Sequence, residues 1–86
     1  MNIYLIERPK DYDDLVWDKY NGAIVAAESK DDARTIAPHG GDFTHHDPDD
    51  TYIDWVRWED IHLIKVEYIG TTDKPKGVIL SDFQAG

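Results

Sequence analysis

Ala23-Ile24-Val25-Ala26-Ala27 is an unbroken apolar run of strand length, built largely from small residues on which a second layer can pack closely. The turn dipeptide Asn21-Gly22 precedes it, and the run is expected to form a central strand. The chain has 86 residues and no cysteine, so disulfide staples, thiolate catalysis and Cys-ligated metal centres are excluded. Packing alone must hold it together. Leu, Ile, Val and Phe make up 20 of the 86 residues, and eight Trp and Tyr join them, which lifts the chain above the level at which high charge predicts disorder. A domain of this length buries only about 60 to 70% of the surface its unfolded chain exposes, so the core is thin.

The remaining segments arrange themselves around that strand. Ile3-Tyr4-Leu5-Ile6 is a short apolar run closed by Arg8-Pro9-Lys10, which predicts a first strand over residues 2–7. The stretch Asp11 to Asn21 has no clear period and reads as an ordered excursion. The second strand is expected over 23–28. Ser29 offers a hydroxyl to a helix start, Asp31 and Asp32 place negative charge at its positive end, and Ala33, Ile36 and Ala37 make one face apolar. A helix over 30–37 follows, ended by Pro38 and Gly40-Gly41. Residues 38–50 carry turn formers and read as a loop, and residues 51–61 fit either a strand or an aromatic-rich turn. From Ile61 the alternation of Ile64, Val66 and Tyr68 with Lys65 and Glu67 predicts a half-buried strand over 62–69. Val78-Ile79-Leu80 begins a last one over 78–83, the two looking like an antiparallel hairpin. The expected fold is a single α+β domain over residues 1–86, a small antiparallel sheet of about four strands covered by one short helix.

Eighteen Asp and Glu stand against nine Lys and Arg, a net charge of -9 with histidine neutral. Such a chain is repelled by nucleic acid phosphates and anionic lipid head groups, and its expected partners are basic surfaces. No stretch approaches the roughly 20 apolar residues of a membrane span, and the start lacks a basic segment followed by a longer apolar run, so a soluble, cytoplasmic protein is expected.

Three stretches carry a resemblance: Ala26-Ala27-Glu28-Ser29 leading into the short helix, Val66-Glu67-Tyr68-Ile69-Gly70, and the ending Gly77-Val78-Ile79-Leu80-Ser81-Asp82-Phe83-Gln84-Ala85-Gly86. Together they resemble small uncharacterised accessory proteins encoded by tailed bacteriophages. The likeness implies a non-virion protein made in the cytoplasm of an infected bacterium, and small acidic phage proteins of this kind include inhibitors of host defences, among them anti-CRISPR proteins. It carries over no catalytic residue and does not reach the acidic histidine loop.

Asp42, Asp47, Asp49, Asp50, Asp54, Glu59 and Asp60 oppose only Arg57 between residues 42 and 60, a net charge of -6 in 19 residues. Gathered on one face, they would steer a basic partner; spread out, they are a solvated loop. Three tryptophans are many for so short a chain; core packing is the expectation for at least two of them, and Trp55 and Trp58, beside Arg57 and the acidic run, are the candidates for one exposed binding anchor. His39, His45, His46, Asp47, Asp49 and Asp50 are of the types that hold zinc, manganese or iron. Their spacing matches neither a His-Glu-x-x-His helix nor a calcium loop, and His62 reads as a packed or surface histidine. Ser29 and Ser81 sit in no nucleophile-elbow sequence. Together with the acidic composition, the resemblance implies a phage-encoded, non-catalytic, cofactor-free inhibitor that binds a basic site on a host nucleic-acid-binding defence complex by charge mimicry. The alternatives are a small metal-binding enzyme or metal-stabilised domain using the His39 to Asp50 loop, and an accessory factor in phage assembly.

Overall fold

A computed structural model describes residues 1–10, 12, 19–38, 40, 55–56 and 58–84. Along the chain lie β1 (Asn2–Glu7), β2 (Lys19–Ala27), α1 (Lys30–Ala33), a 3-10 turn (Trp58–Leu63), β3 (Lys65–Thr71) and β4 (Gly77–Gln84). The four strands form one sheet in the order β3-β1-β2-β4, every pairing antiparallel. The small α+β fold expected from the hydrophobic pattern is the one observed. Among the described residues no helix is long and apolar enough to cross a membrane.

Register assigns each side chain to a face. Val66, Ile6, Ala23 and Ser81 lie in one row across the sheet, and Tyr68, Tyr4, Val25 and Val78 in the next. Directly opposed residues share a face, so these rows form one surface. Ala33, Ile36, Ala37, Trp55, Val56 and Ile64 pack on it and complete the core. Tyr4 and Tyr68 meet edge to face with ring centroids 5.9 Å apart.

Several elements differ from the pattern-based expectation. The helix is one turn rather than the expected 30–37: the Thr35 and Ile36 amides donate to the Asp32 and Ala33 carbonyls at 3.1 and 3.2 Å, three residues back, which tightens the chain out of the α-helix. The Thr35 hydroxyl also donates to the Asp32 carbonyl, at 2.6 Å. The apolar spacing still buries Ala33, Ile36 and Ala37. Ser29 is the N-cap, its hydroxyl accepting from the Asp32 amide at 3.1 Å, while the Asp32 carboxylate accepts from the Glu28 amide at 3.0 Å.

Asn21-Gly22 is no turn but part of β2, which begins at Lys19; the β2–β4 register shifts between Tyr20 and Gly22. Glycine is required there because a Cβ on residue 22 would stand 2.7 Å from the Ile6 carbonyl oxygen. Residues 62 and 63, expected in the third strand, finish the 3-10 turn instead, and β3 starts at Lys65.

The largest correction concerns the C-terminal hairpin. β3 and β4 do not pair; they are the opposite edges of the sheet. Residues 72–76 run beneath the end where Asn2 pairs with Ala27, and three interstrand spacings of about 4.8 Å are within reach of a chain extending about 3.3 Å per residue. Two attachments hold this crossing. The Thr72 amide donates to the Met1 carbonyl at 2.9 Å and the Met1 ammonium to the Thr72 carbonyl at 3.1 Å, while the Lys76 ammonium pairs with the Asp32 carboxylate at the helix start. Alternation shows that a strand is half-buried, and says nothing about which strand it lies beside.

Burial opposes the charge of Asp32, but the Lys76 hydrogen bond, the Glu28 amide and the Lys76 charge outweigh it and hold the carboxyl below its ordinary 3.8. A carboxyl with a lowered folded pKa stabilises fully above its unfolded value and ceases to do so as pH falls through the folded one. Thermal melts across acid pH are expected to show stability falling less steeply in Asp32→Asn than in the parent, with Asp32→Asn the less stable at neutral pH. Gly22→Ala should cost about 1 to 3 kcal/mol in urea unfolding, because the added methyl forces β1 and β2 apart.

Candidate interaction surface

The other face of the sheet is built by the alternate residues of the same strands. Three rows cross it from β3 to β4: Lys65, Glu7, Gly22 and Asp82; Glu67, Leu5, Ile24 and Leu80; Gly70, Ile3, Ala26 and Gly77. Among the described residues no element packs against these rows, since α1, Trp55, Val56 and Ile64 all belong to the core on the opposite side. Ile3, Leu5 and Ile24 are half-buried and Ala26 is fully buried, whereas Leu80 is 64% exposed. Ile3, Leu5 and Ile24 give the inner strands apolar side chains on this face and Glu7 adds a carboxylate on β1; Lys65 and Glu67 stand on the β3 edge and Asp82 on the β4 edge. A cleft of about 620 Å³ lies over the half nearer β4, floored by Leu5, Ile24 and Leu80 and bordered by Lys10, Lys19 and Asp82.

Arg8 organises the end of the sheet beside that cleft. Its guanidinium donates to the Tyr12 carbonyl at 3.0 and 3.3 Å and to the Trp55 carbonyl, and lies 5.1 Å from the centre of the Tyr12 ring. The Tyr12 hydroxyl in turn donates to the Asp60 carboxylate at 2.7 Å. One cation thereby joins the turn after β1, the core tryptophan and the 3-10 turn.

The residues singled out from sequence fare unequally. Trp55 is 1% exposed, buried in one core cluster with Tyr4, Val25 and Ile64, so it is no exposed anchor. Its indole N–H is buried without a hydrogen-bond partner. Trp58 opens the 3-10 turn. Glu59 is exposed, and Asp60 is partly buried in its bond with Tyr12, so these two acids do not act alike. Asp42, Asp47, Asp49, Asp50 and Asp54 lie outside the described residues, as do His39, His45, His46 and Trp17. His62 is exposed, and among the described residues no group of three or more His, Asp or Glu is placed to hold a metal.

Reading the sequence for motifs passes over the open face, although a signal for it is present. Ile3 and Leu5 alternate with Tyr4 and Ile6, and Ile24 with Ala23 and Val25, so both central strands are apolar on both sides. An antiparallel sheet with one covering layer needs only one apolar side. Comparison of the chain with protein-family models, with curated proteins and with solved structures finds no match.

Burial separates the two kinds of apolar residue experimentally. Trp55→Ala should cost about 3 to 5 kcal/mol, enough to leave much of so small a domain unfolded, whereas Leu80→Ser should change stability by no more than about 0.5 kcal/mol. Chemical denaturation of the two variants beside the parent checks both values.

Proposed function

We propose that this chain is a non-catalytic acidic binding protein that occupies the basic, nucleic-acid-binding surface of a bacterial defence complex and inhibits it by charge mimicry, in the cytoplasm of a phage-infected cell. The observation that carries this reading is the twofold excess of acids over cations in so small a domain. Arg8, Arg34 and Lys76 are turned onto the protein itself, toward Trp55 and Tyr12, Asp31, and Asp32. Glu28, Glu59, Glu67, Asp73 and Asp82 are exposed and have no ion-pair partner among the described residues. Lys10, Lys30, Lys65 and Lys74 are exposed as well, so the acidity of the surface rests on the excess of eighteen acids over nine cations, a net charge of -9. The resemblance to phage accessory proteins supplies the setting, and seven of the eighteen acids fall in the sequence run from Asp42 to Asp60.

The chain, tagged and expressed in bacteria, is used to capture partners at low and at high salt, and each retained complex is assayed for duplex DNA binding with and without the purified chain. A nucleic-acid-binding complex held at low salt, released at high salt and blocked from DNA by the chain is the expected result. Replacing Asp47, Asp49 and Asp50 together by Asn should slow association and flatten its salt dependence without altering the fold. Retention insensitive to salt, or a partner whose DNA binding the chain leaves untouched, overturns the reading.

A further inference from the structure

We propose that Asn21 is a self-modifying site: its side-chain amide is lost spontaneously through attack by the Gly22 backbone nitrogen, which places a new carboxylate beside Asp82 and loosens the joint between β2 and β4. The inference is independent of the acidic binding surface, because it rests on one dipeptide and the strands that hold it.

The chain has two asparagines, Asn2 and Asn21, and only the second is followed by glycine. Cyclisation forms a bond from the Gly22 nitrogen to Cγ of Asn21 as the bond from Cγ to Nδ2 breaks. The departing nitrogen takes up the Gly22 amide proton and leaves as ammonia. Water from the solvent then opens the cyclic imide at either carbonyl, giving an aspartyl or an isoaspartyl residue. A following residue with a Cβ crowds the attacking nitrogen, and glycine does not. Asn2 is followed by the β-branched Ile3, and its side-chain amide also donates to the Tyr4 hydroxyl at 3.2 Å and to the Glu28 carbonyl at 3.3 Å.

The fold both requires the reactive pair and opens it to solvent. Glycine is imposed at position 22 by the Ile6 carbonyl oxygen, 2.7 Å from where a Cβ would stand, so no bulkier successor can shield Asn21. The ladder of β1 with β2 ends at Gly22, and the register of β2 with β4 shifts between Tyr20 and Gly22, so the backbone is least regular where the ring closes. The Asn21 carbonyl accepts from the Arg8 amide at 2.8 Å, while its side-chain amide donates to the Asp82 carboxylate at a long 3.5 Å. Asn21 and Gly22 both line the cleft over the β4 half of the sheet, which brings water to the imide.

Modification reverses what this side chain does. The amide is a donor to Asp82, and a carboxylate in its place repels Asp82 across the pair of strands. The isoaspartyl form also adds a carbon to the main chain between Tyr20 and Gly22, so the pairings of Tyr20 with Phe83 and of Gly22 with Asp82 cannot both keep their spacing.

Incubation of the full chain at mildly alkaline pH tests the proposal, with peptide mapping by mass spectrometry and enzymatic methylation of isoaspartyl groups. Asn21 should convert at least about tenfold faster than Asn2, giving both products. The native chain should convert it within about a hundredfold of the rate in urea, because opening one end of β2 is cheaper than unfolding the domain. Asn21→Asp should lower the melting temperature, and Asp82→Asn in the same chain should restore it toward the parent, since the two carboxylates then no longer oppose each other. The mass-spectrometric comparison uses the unaltered chain and decides the matter even where Asn21→Asp fails to fold. A native rate lower than the unfolded one by the whole unfolding equilibrium constant, or an Asn21→Asp chain as stable as the parent, overturns the proposal.

Discussion

The antiparallel pairing of β1 with β2 is the constraint from which the rest of this structure follows. These are the two strands with neighbours on both sides, and their unbroken register from Asn2 opposite Ala27 to Glu7 opposite Gly22 sets which residues face the core and which face away. The pairing tolerates no slip, because moving it by one residue would carry Tyr4, Ile6, Ala23 and Val25 out of the core. Gly22 fixes its far end by letting the two backbones approach closer than any side chain would allow. Everything added later in the chain, β3 on one side and β4 on the other, inherits the row positions that this pair establishes.

The polar joints sit at the two ends of that central pair and bring distant parts of the chain to it. At one end Arg8 draws in Tyr12 and Trp55, and Tyr12 holds Asp60. At the other, Thr72 extends the ladder to Met1, and Lys76 closes on Asp32 beside the helix N-cap. Neither site is fully buried, so the ion pair at Asp32 is a modest contribution in energy, but it fixes where the crossing chain runs. The burial of the Trp55 indole N–H without a partner is a cost carried within the same core, which argues that the ring's apolar area is what holds this residue in place.

What was legible in the sequence followed from local periodicity. Strand β1 over residues 2–7, the Ser29 cap, the buried Ala33, Ile36 and Ala37, and the presence of four strands all follow from spacing and side-chain type. Partnership was not legible. Val66 and Val78 each alternate as a half-buried strand does, and nothing in either run tells that they lie on opposite edges, since that depends on a crossing held by Met1 and Asp32 from far along the chain. The same holds for Trp55: it stands within an acidic run of the sequence, but it is buried in the same core cluster as Tyr4, Val25 and Ile64. Composition next to a residue describes its exposure only when the chain around it is exposed too.

Two surfaces of opposite character therefore belong to one thin domain. The apolar rows gain from removal of water and are little affected by salt, whereas the exposed carboxylates act through a long-range field that salt screens.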